Sequence, residues 1–279
     1  LHPIPIYQAI ILGIVQGITE PLPISSTGHL RLVPRIFGWN DAGLAFDVAL
    51  HLGTLIAVLA YFWRDWVEMT RPIINTLQKK APAASPHFGR NLLWGILIGC
   101  IPAGIMGAVL NDTINRIETD PAKNTMVMIV VASALIVVGF ILYMSDKLGS
   151  KHKKKLAQMN FFDWIIIGAA QAVALIPGVS RSGATISAGL ARGMDRDAAA
   201  RFSFLLSAPI VFAGVCKHIL ELYEKGMSRT EMIPFVVGMI TSAIVGFAAI
   251  RFLLGYVRKN SYNGFVWYRF ALGAGILVL

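Results

Sequence analysis

The chain has 279 residues, of which 56% are hydrophobic and 14% charged, and it carries a formal net charge of +10. Soluble domains hold about 25% charged residues, so this composition, with a mean hydropathy of +0.64, excludes an ordinary soluble fold and reads as an all-α integral membrane protein. The apolar runs do not alternate, which excludes a β-barrel, and in a membrane protein a basic excess sets topology and meets anionic lipid rather than nucleic acid.

The first predicted element, residues 4–37, is apolar but broken in its middle. Pro21 and Pro23 lack an N–H and bias the residues before them away from helix, so one helix ends near Glu20 and another starts near Ser25. Gln16 and Glu20 share a face on the last turn of the first helix. Ser25 is a natural N-cap for the second, and the free N–H groups of Ser26, Thr27 and Gly28 form an anion site. Each half is too short for the ~30 Å hydrocarbon core, which takes about 20 residues. A re-entrant helix–loop–helix that returns by the side it enters is therefore expected. Full spans follow at 44–63, 91–110 and 126–144.

The second half repeats the plan. Residues 161–192 are again apolar and again broken, at Leu-Ile-Pro-Gly-Val-Ser-Arg-Ser-Gly-Ala-Thr (175–185), and spans follow at 201–220, 233–254 and 265–279. Gly13, Gln16, Ser25 and Gly28 align with Gly168, Gln171, Ser180 and Gly183 at one constant offset. Gly99, Ala103 and Gly107 align with Gly238, Ser242 and Gly246 at another. A duplication is expected, with a first repeat at 1–145, a basic linker at 146–160 and a second repeat at 161–279. Basic residues cluster at 64–90, including Lys79 and Lys80, and in the linker at Lys151, Lys153, Lys154 and Lys155. Both clusters read as cytoplasmic, whereas 111–125 and 221–232 are slightly acidic and read as external. Three crossings per repeat is an odd number, so the second repeat must be inverted and both termini external. The two re-entrant pairs then enter from opposite sides, and their tips meet near the midplane.

A charge at the bilayer centre costs about 2.5–3.5 kcal/mol on insertion scales, so a chain that keeps Glu20, His29 and Arg181 at that depth is expected to use them. Arg181 follows a Ser180 cap, lies beside Ser182 and stands one turn before Thr185. Its best partners are phosphate oxygens or a carboxylate such as Glu20. It is either half of a structural pair joining the repeats or a clamp in a phosphate site built from two helix N-termini and several hydroxyls. His29 suits proton transfer at neutral pH or nucleophilic attack, with a packing histidine as the plainer alternative. Ser26 is a nucleophile or a phosphate ligand. Gln16 with Glu20 resembles half of a Mg²⁺ site, which typically takes one or two carboxylates plus substrate phosphates. Asp47 and His51, one turn apart, read as a helix-start carboxylate paired with a histidine. Cys100 and Cys216 sit singly in apolar segments and read as packing residues, with no disulfide or thiolate metal site.

Three of these segments resemble one known family. Gln-x-x-x-Glu (16–20), Pro-Ile-Ser-Ser-Thr-Gly-His (23–29) and Pro-Gly-Val-Ser-Arg-Ser-Gly-Ala-Thr (177–185) are similar to signatures of the bacterial undecaprenyl-diphosphate phosphatases of the bacitracin-resistance type. The likeness covers essentially the whole chain. It implies a multi-pass protein of the bacterial inner membrane with two inverted repeats, each a re-entrant pair plus three transmembrane helices. The implied reaction removes one phosphate from undecaprenyl diphosphate, which recycles the carrier lipid of cell-wall synthesis. By resemblance, Glu20, Ser26, His29 and Arg181 take the essential positions, and a divalent cation, Mg²⁺ or Ca²⁺, is expected. Gln16, Ser25, Thr27, Gly28, Ser180, Ser182 and Thr185 are expected around the phosphates. Many members carry Glu where this chain has Gln16, so Glu20 is the stronger metal candidate of the two.

The residues agree with that implication on their own terms. A diphosphate head needs cations and N–H donors, and its prenyl tail needs an apolar groove open to lipid. The rival is a transporter or flippase of a phosphorylated lipid or small anion, which inverted repeats alone would favour. Catalytic-type side chains crowded on one tip favour the enzyme. The expected partners are the polyprenyl diphosphate and membrane lipid, the site is expected to open to the external side, and a homodimer stays open.

Overall fold

The computed structural model describes residues 4–77, 86–119, 121–149, 153–225 and 229–278. Lys79, Lys80 and Lys151, which the charge reading uses, and Leu279 at the end of the last predicted span lie outside the described residues. The helices are α1 (Ile6–Thr19), α2 (Ser26–Phe37), α3 (Leu44–Tyr61), α4 (Trp63–Leu77), α5 (Pro86–Thr119) and α6 (Asn124–Gly149) in the first half of the chain. The second half holds α7 (Phe161–Val173), α8 (Arg181–Ala191), α9 (Arg196–Lys225), α10 (Arg229–Val257) and α11 (Asn263–Val278). The one β feature among the described residues is an isolated bridge between Lys154 and Met194.

Five stretches of these helices are long and apolar enough to cross a membrane: Leu44–Tyr61, Asn91–Leu110, Asn124–Gly149, Arg196–His218 and Met232–Val257. They correspond to five of the six predicted spans, and the chain is a multi-pass, all-α membrane protein. The sixth prediction falls on α11, whose 16 residues stop short of that length. Two further apolar helices are short, α1 of 14 residues and α7 of 13. The segment 64–90, whose basic residues read as cytoplasmic, contains most of α4. Its apolar positions recur at helical spacing, so Trp66 and Met69 face the core, with Met69 1% exposed, while α4 packs on α5. On its polar side Asp65 accepts from Arg201 Nη2 at 2.8 Å.

Packing crosses between the halves. Helix α1 lies along α10, and α7 lies along α5. Both contacts bring backbones together. A Cβ on Gly13 would stand 2.7 Å from the carbonyl oxygen of Gly238, and one on Gly168 would overlap the carbonyl oxygen of Gly99. Small residues at such crossings allow the close helix approach that drives association where no hydrophobic effect operates. Helix α3 packs on α9 and α10, and α6 packs on α8 and α11. A core including Leu55, Ile186, Phe202, Leu206 and Ile250 fills the space between them. The arrangement brings the α1–α2 turn against the α7–α8 turn, where Ser182 Oγ donates to the carbonyl oxygen of Leu22 at 3.0 Å.

Candidate active site between the two turns

The breaks fall where the prolines and glycines dictate. Helix α1 ends at Thr19, and the Glu20 N–H still donates to the Gln16 carbonyl at 2.9 Å. Helix α2 then starts at Ser26 and α8 at Arg181, each after a serine with positive φ, Ser25 at 72° and Ser180 at 69°. Non-glycine residues seldom hold that conformation, and it concentrates at functional sites. Ser180 Oγ accepts from the Gly183 N–H at 3.1 Å and so caps α8 as predicted. Ser25 corrects the sequence reading: it occupies the cap position but makes no side-chain cap bond. It lines the cavity described next, and its carbonyl meets His29 Nδ1 at 2.7 Å.

Glu20 stands at the centre of the site. Its Oε1 accepts from Arg181 Nη2 at 2.6 Å, and its Oε2 accepts from Ser26 Oγ at 2.5 Å and Gln16 Nε2 at 3.3 Å. His51 Nε2 lies 3.6 Å from the same Oε2. Two groups nearby are buried without a partner, Arg181 Nη1 and Gln16 Oε1. A buried guanidinium N–H left unpaired is costly, and an incoming anion removes that cost. A cavity of about 200 Å³ opens here, lined by Glu20, Ser25, Ser26, Thr27, Ser180 and Arg181 together with His51 and Gly178. A second cavity of about 530 Å³ shares Thr27 and His51 with it and continues past Arg31 and Arg35 to Trp39, Asp41 and Asn124.

The remaining expected residues sit behind this cavity rather than on it. His29 is 8% exposed, and its Nε2 lies 2.6 Å from the hydroxyl of Tyr268. Ser182 donates to backbone carbonyls of the first turn, at Leu22 and Glu20. Thr185 Oγ1 donates to the Arg181 carbonyl at 2.8 Å and meets Ser203 Oγ at 2.6 Å, facing α9. Gly28 packs towards Val131 on α6. The turns thus gather Glu20, Ser25, Ser26, Thr27, Ser180 and Arg181 at the surface of the cavity, with Gln16 hydrogen-bonded to Glu20 from behind.

Sequence reasoning missed two supporting groups and under-read a third. His51 was expected to pair with the Asp47 side chain, yet its Nδ1 lies 2.8 Å from the Asp47 carbonyl oxygen. That acceptor fixes the proton on Nδ1 in the neutral ring and turns the Nε2 lone pair towards Glu20. Arg269, fully buried on α11, donates to the carbonyls of Leu135, Pro23 and Val179 at 3.0, 3.1 and 3.1 Å, and to those of Ala134 and Gly178 at 3.2 and 3.4 Å. Its neighbour Tyr268 holds His29. A lone arginine inside the apolar stretch 263–278 was the available signal, by the same cost argument that singles out Arg181.

Among the described residues, no group of three or more His, Cys, Asp and Glu side chains gathers as a metal cluster. The hard oxygen donors at the site are the Glu20 carboxylate, Ser26 Oγ and the unpartnered Gln16 Oε1.

The family model described as "Bacitracin resistance protein BacA" matches residues 9–275. The chain is 43% identical over 274 residues to the undecaprenyl-diphosphatase of Thermomicrobium roseum, covering 98% of each chain. It is 45% identical over 274 residues to that of Moorella thermoacetica, covering 98% of this chain and 97% of the relative. It is 44% identical over 272 residues to that of Geobacter metallireducens, covering 97% of each.

Proposed function

The chain belongs to the bacitracin resistance protein BacA family, and from that membership we propose that it is an integral-membrane phosphatase hydrolysing undecaprenyl diphosphate to the monophosphate and inorganic phosphate. The contact that carries the mechanism is Ser26 Oγ donating to Glu20 at 2.5 Å. A hydroxyl bound to a carboxylate, beside a half-satisfied arginine, is an activated nucleophile next to an anion clamp.

In this reading the terminal phosphate enters the cavity and takes the open Nη1 of Arg181 and the N–H groups at the start of α2. Ser26 Oγ attacks the terminal phosphorus as its proton passes to Glu20. The bond from that phosphorus to the bridging oxygen breaks, and the undecaprenyl monophosphate leaves with the electron pair. Water then cleaves the seryl phosphate and restores Ser26. The Nε2 of His51 is placed to take the proton from Glu20, because a proton between the two satisfies both acceptors. His29, bonded to the Ser25 carbonyl, holds the turn that aims Ser26. Positioning and charge stabilisation dominate such transfers, which suits a site with one hydroxyl and several fixed donors. The Glu20 carboxylate, with the unpartnered Gln16 Oε1 behind it, would hold a divalent cation, Mg²⁺ or Ca²⁺, which would offset phosphate charge.

We also infer two inverted repeats whose re-entrant pairs, α1–α2 and α7–α8, meet within the bilayer. The exchanged packing of α1 on α10 and α7 on α5 supports this, as do the matching glycines and the matching backbone at Ser25 and Ser180. The larger cavity reaches Asp41 and Asn124, on the side the charge pattern assigns to the exterior.

The test is phosphate release from undecaprenyl diphosphate by purified protein in detergent, with and without chelator, comparing Ser26→Ala with the parent. The expected loss is at least about two orders of magnitude, the scale of removing a group that acts in the transition state. Full hydrolysis by Ser26→Ala would return the attack to His29 or water. A parent that releases no phosphate but moves the lipid between vesicle leaflets would decide for a carrier.

A further inference from the structure

The far end of α8 from Arg181 carries two adjoining cavities that the phosphatase reading does not use. One, of about 510 Å³, is lined by Lys153, Lys154, Gln158, Ala191, Arg192 and Gly193. The other, of about 390 Å³, is a groove along the end of α6 formed by Phe140, Ile141, Met144 and Leu148, and it too includes Ala191. Ala191 is therefore a shared wall, with cations on one side and an apolar trough on the other. Phe140, Ile141 and Leu148 are exposed at 57%, 46% and 62%.

The charges around this junction do not cancel. Asp163, buried at the start of α7, accepts from Lys154 Nζ at 3.0 and 3.2 Å and from Arg192 Nε at 2.8 Å. One carboxylate thus answers two cations, and Lys153 adds a third to the same cavity. Arg192 meets Asp163 through Nε, which leaves the outer edge of its fork for another anion. The neighbouring carboxylates are committed elsewhere: Asp195 pairs with Lys155, and Asp146 accepts from Arg196 and the Tyr262 N–H.

We propose that this junction is a binding site for an anionic phospholipid of the leaflet facing the basic linker, its phosphate among Lys153, Lys154 and Arg192 and one acyl chain along the α6 groove. The mixed character selects the ligand. A soluble anion would leave the trough empty, and a zwitterionic lipid would leave the excess charge unmatched. Basic pockets beside transmembrane helices on the cytoplasmic side suit such head groups. Asp163 organises the site by holding two of its cations in place, and the ligand sits one helix length from the Ser26 turn without touching it.

The test is native mass spectrometry of the purified full chain in neutral detergent with phosphatidylglycerol or phosphatidylcholine. The parent should retain phosphatidylglycerol selectively. Lys153→Gln, which removes an exposed cation, should weaken retention about fivefold, and Ala191→Trp should abolish it by filling the shared wall without changing charge. Phosphate release should be unchanged in both variants. Equal retention of the two lipids by the parent overturns the proposal, as does unchanged retention in both variants. Competition by glycerol phosphate as strong as by the whole lipid also overturns it, because it would mark a soluble-anion site.

Discussion

Ser25 and Ser180 hold nearly the same left-handed backbone at the start of α2 and α8, with φ of 72° and 69° and ψ of 100° and 112°. The side chains around them have gone separate ways. The first turn supplies the carboxylate of Glu20 and the hydroxyl of Ser26, with a glutamine one turn earlier bonded to the carboxylate. The second supplies Arg181 and a working cap, and its glutamine, Gln171, is buried with neither amide atom partnered. A common backbone can therefore be kept while the chemistry is divided. In the proposed mechanism one turn handles the proton and the other holds the negative charge.

The division is tested most severely at Arg181. Arg181→Lys keeps the charge but loses the planar fork that reaches Glu20 through one nitrogen and leaves the other open. Phosphate release should fall by about two to three orders of magnitude while the protein still folds, as read by thermal unfolding of the same preparation. Unchanged turnover would reduce the second turn to a structural brace and erase the distinction.

A smaller effect probes what the two regions share. Gly13→Ala and Gly168→Ala each push a methyl into the backbone of the other half, at Gly238 and Gly99. Each should destabilise the protein by about 1–3 kcal/mol, the range for overpacking, in denaturation of the detergent-solubilised chain. A large loss at one position with none at the other would break the equivalence of the two crossings.

The smallest effect separates the caps. Ser180→Gly relieves the positive φ but removes the bond to the Gly183 N–H, whereas Ser25→Gly relieves the same φ and removes no cap bond. Thermal unfolding should therefore place Ser180→Gly below Ser25→Gly by a few tenths of a kcal/mol. The reverse order would mean that the Ser25 hydroxyl contributes more than the Ser180 cap.

Much of this was legible in the residues because proline, membrane-depth charge and apolar run length are local signals. Pro21 and Pro23 mark the first break, and the cost of burying Glu20 and Arg181 separately points to their pairing. The hidden part consists of contacts whose partner is backbone. His51 binds the carbonyl of Asp47, not its carboxylate, and Arg269 binds five carbonyls, so neither leaves a second residue type to find. Thr185 and Ser182 look like phosphate ligands by composition, but helical geometry turns their hydroxyls to nearby carbonyls and to Ser203. Helix α4 was obscured because its charges dominate a segment whose buried stripe is narrow.

Arg269 also bears on the order in which the molecule becomes competent. Its carbonyl partners at Pro23, Gly178 and Val179 belong to the two turns, and those at Ala134 and Leu135 belong to α6. The donor itself lies on α11, which the ribosome completes after every other helix described here. A nascent chain can insert its earlier helices and join the turns through Ser182 and the Glu20–Arg181 pair, yet the clamp that binds both turns to α6 arrives only with this late residue. A chain released before α11 would hold its two turns by the Glu20–Arg181 pair and the Ser182 bonds alone, without the five-carbonyl clamp that locks both turns to α6.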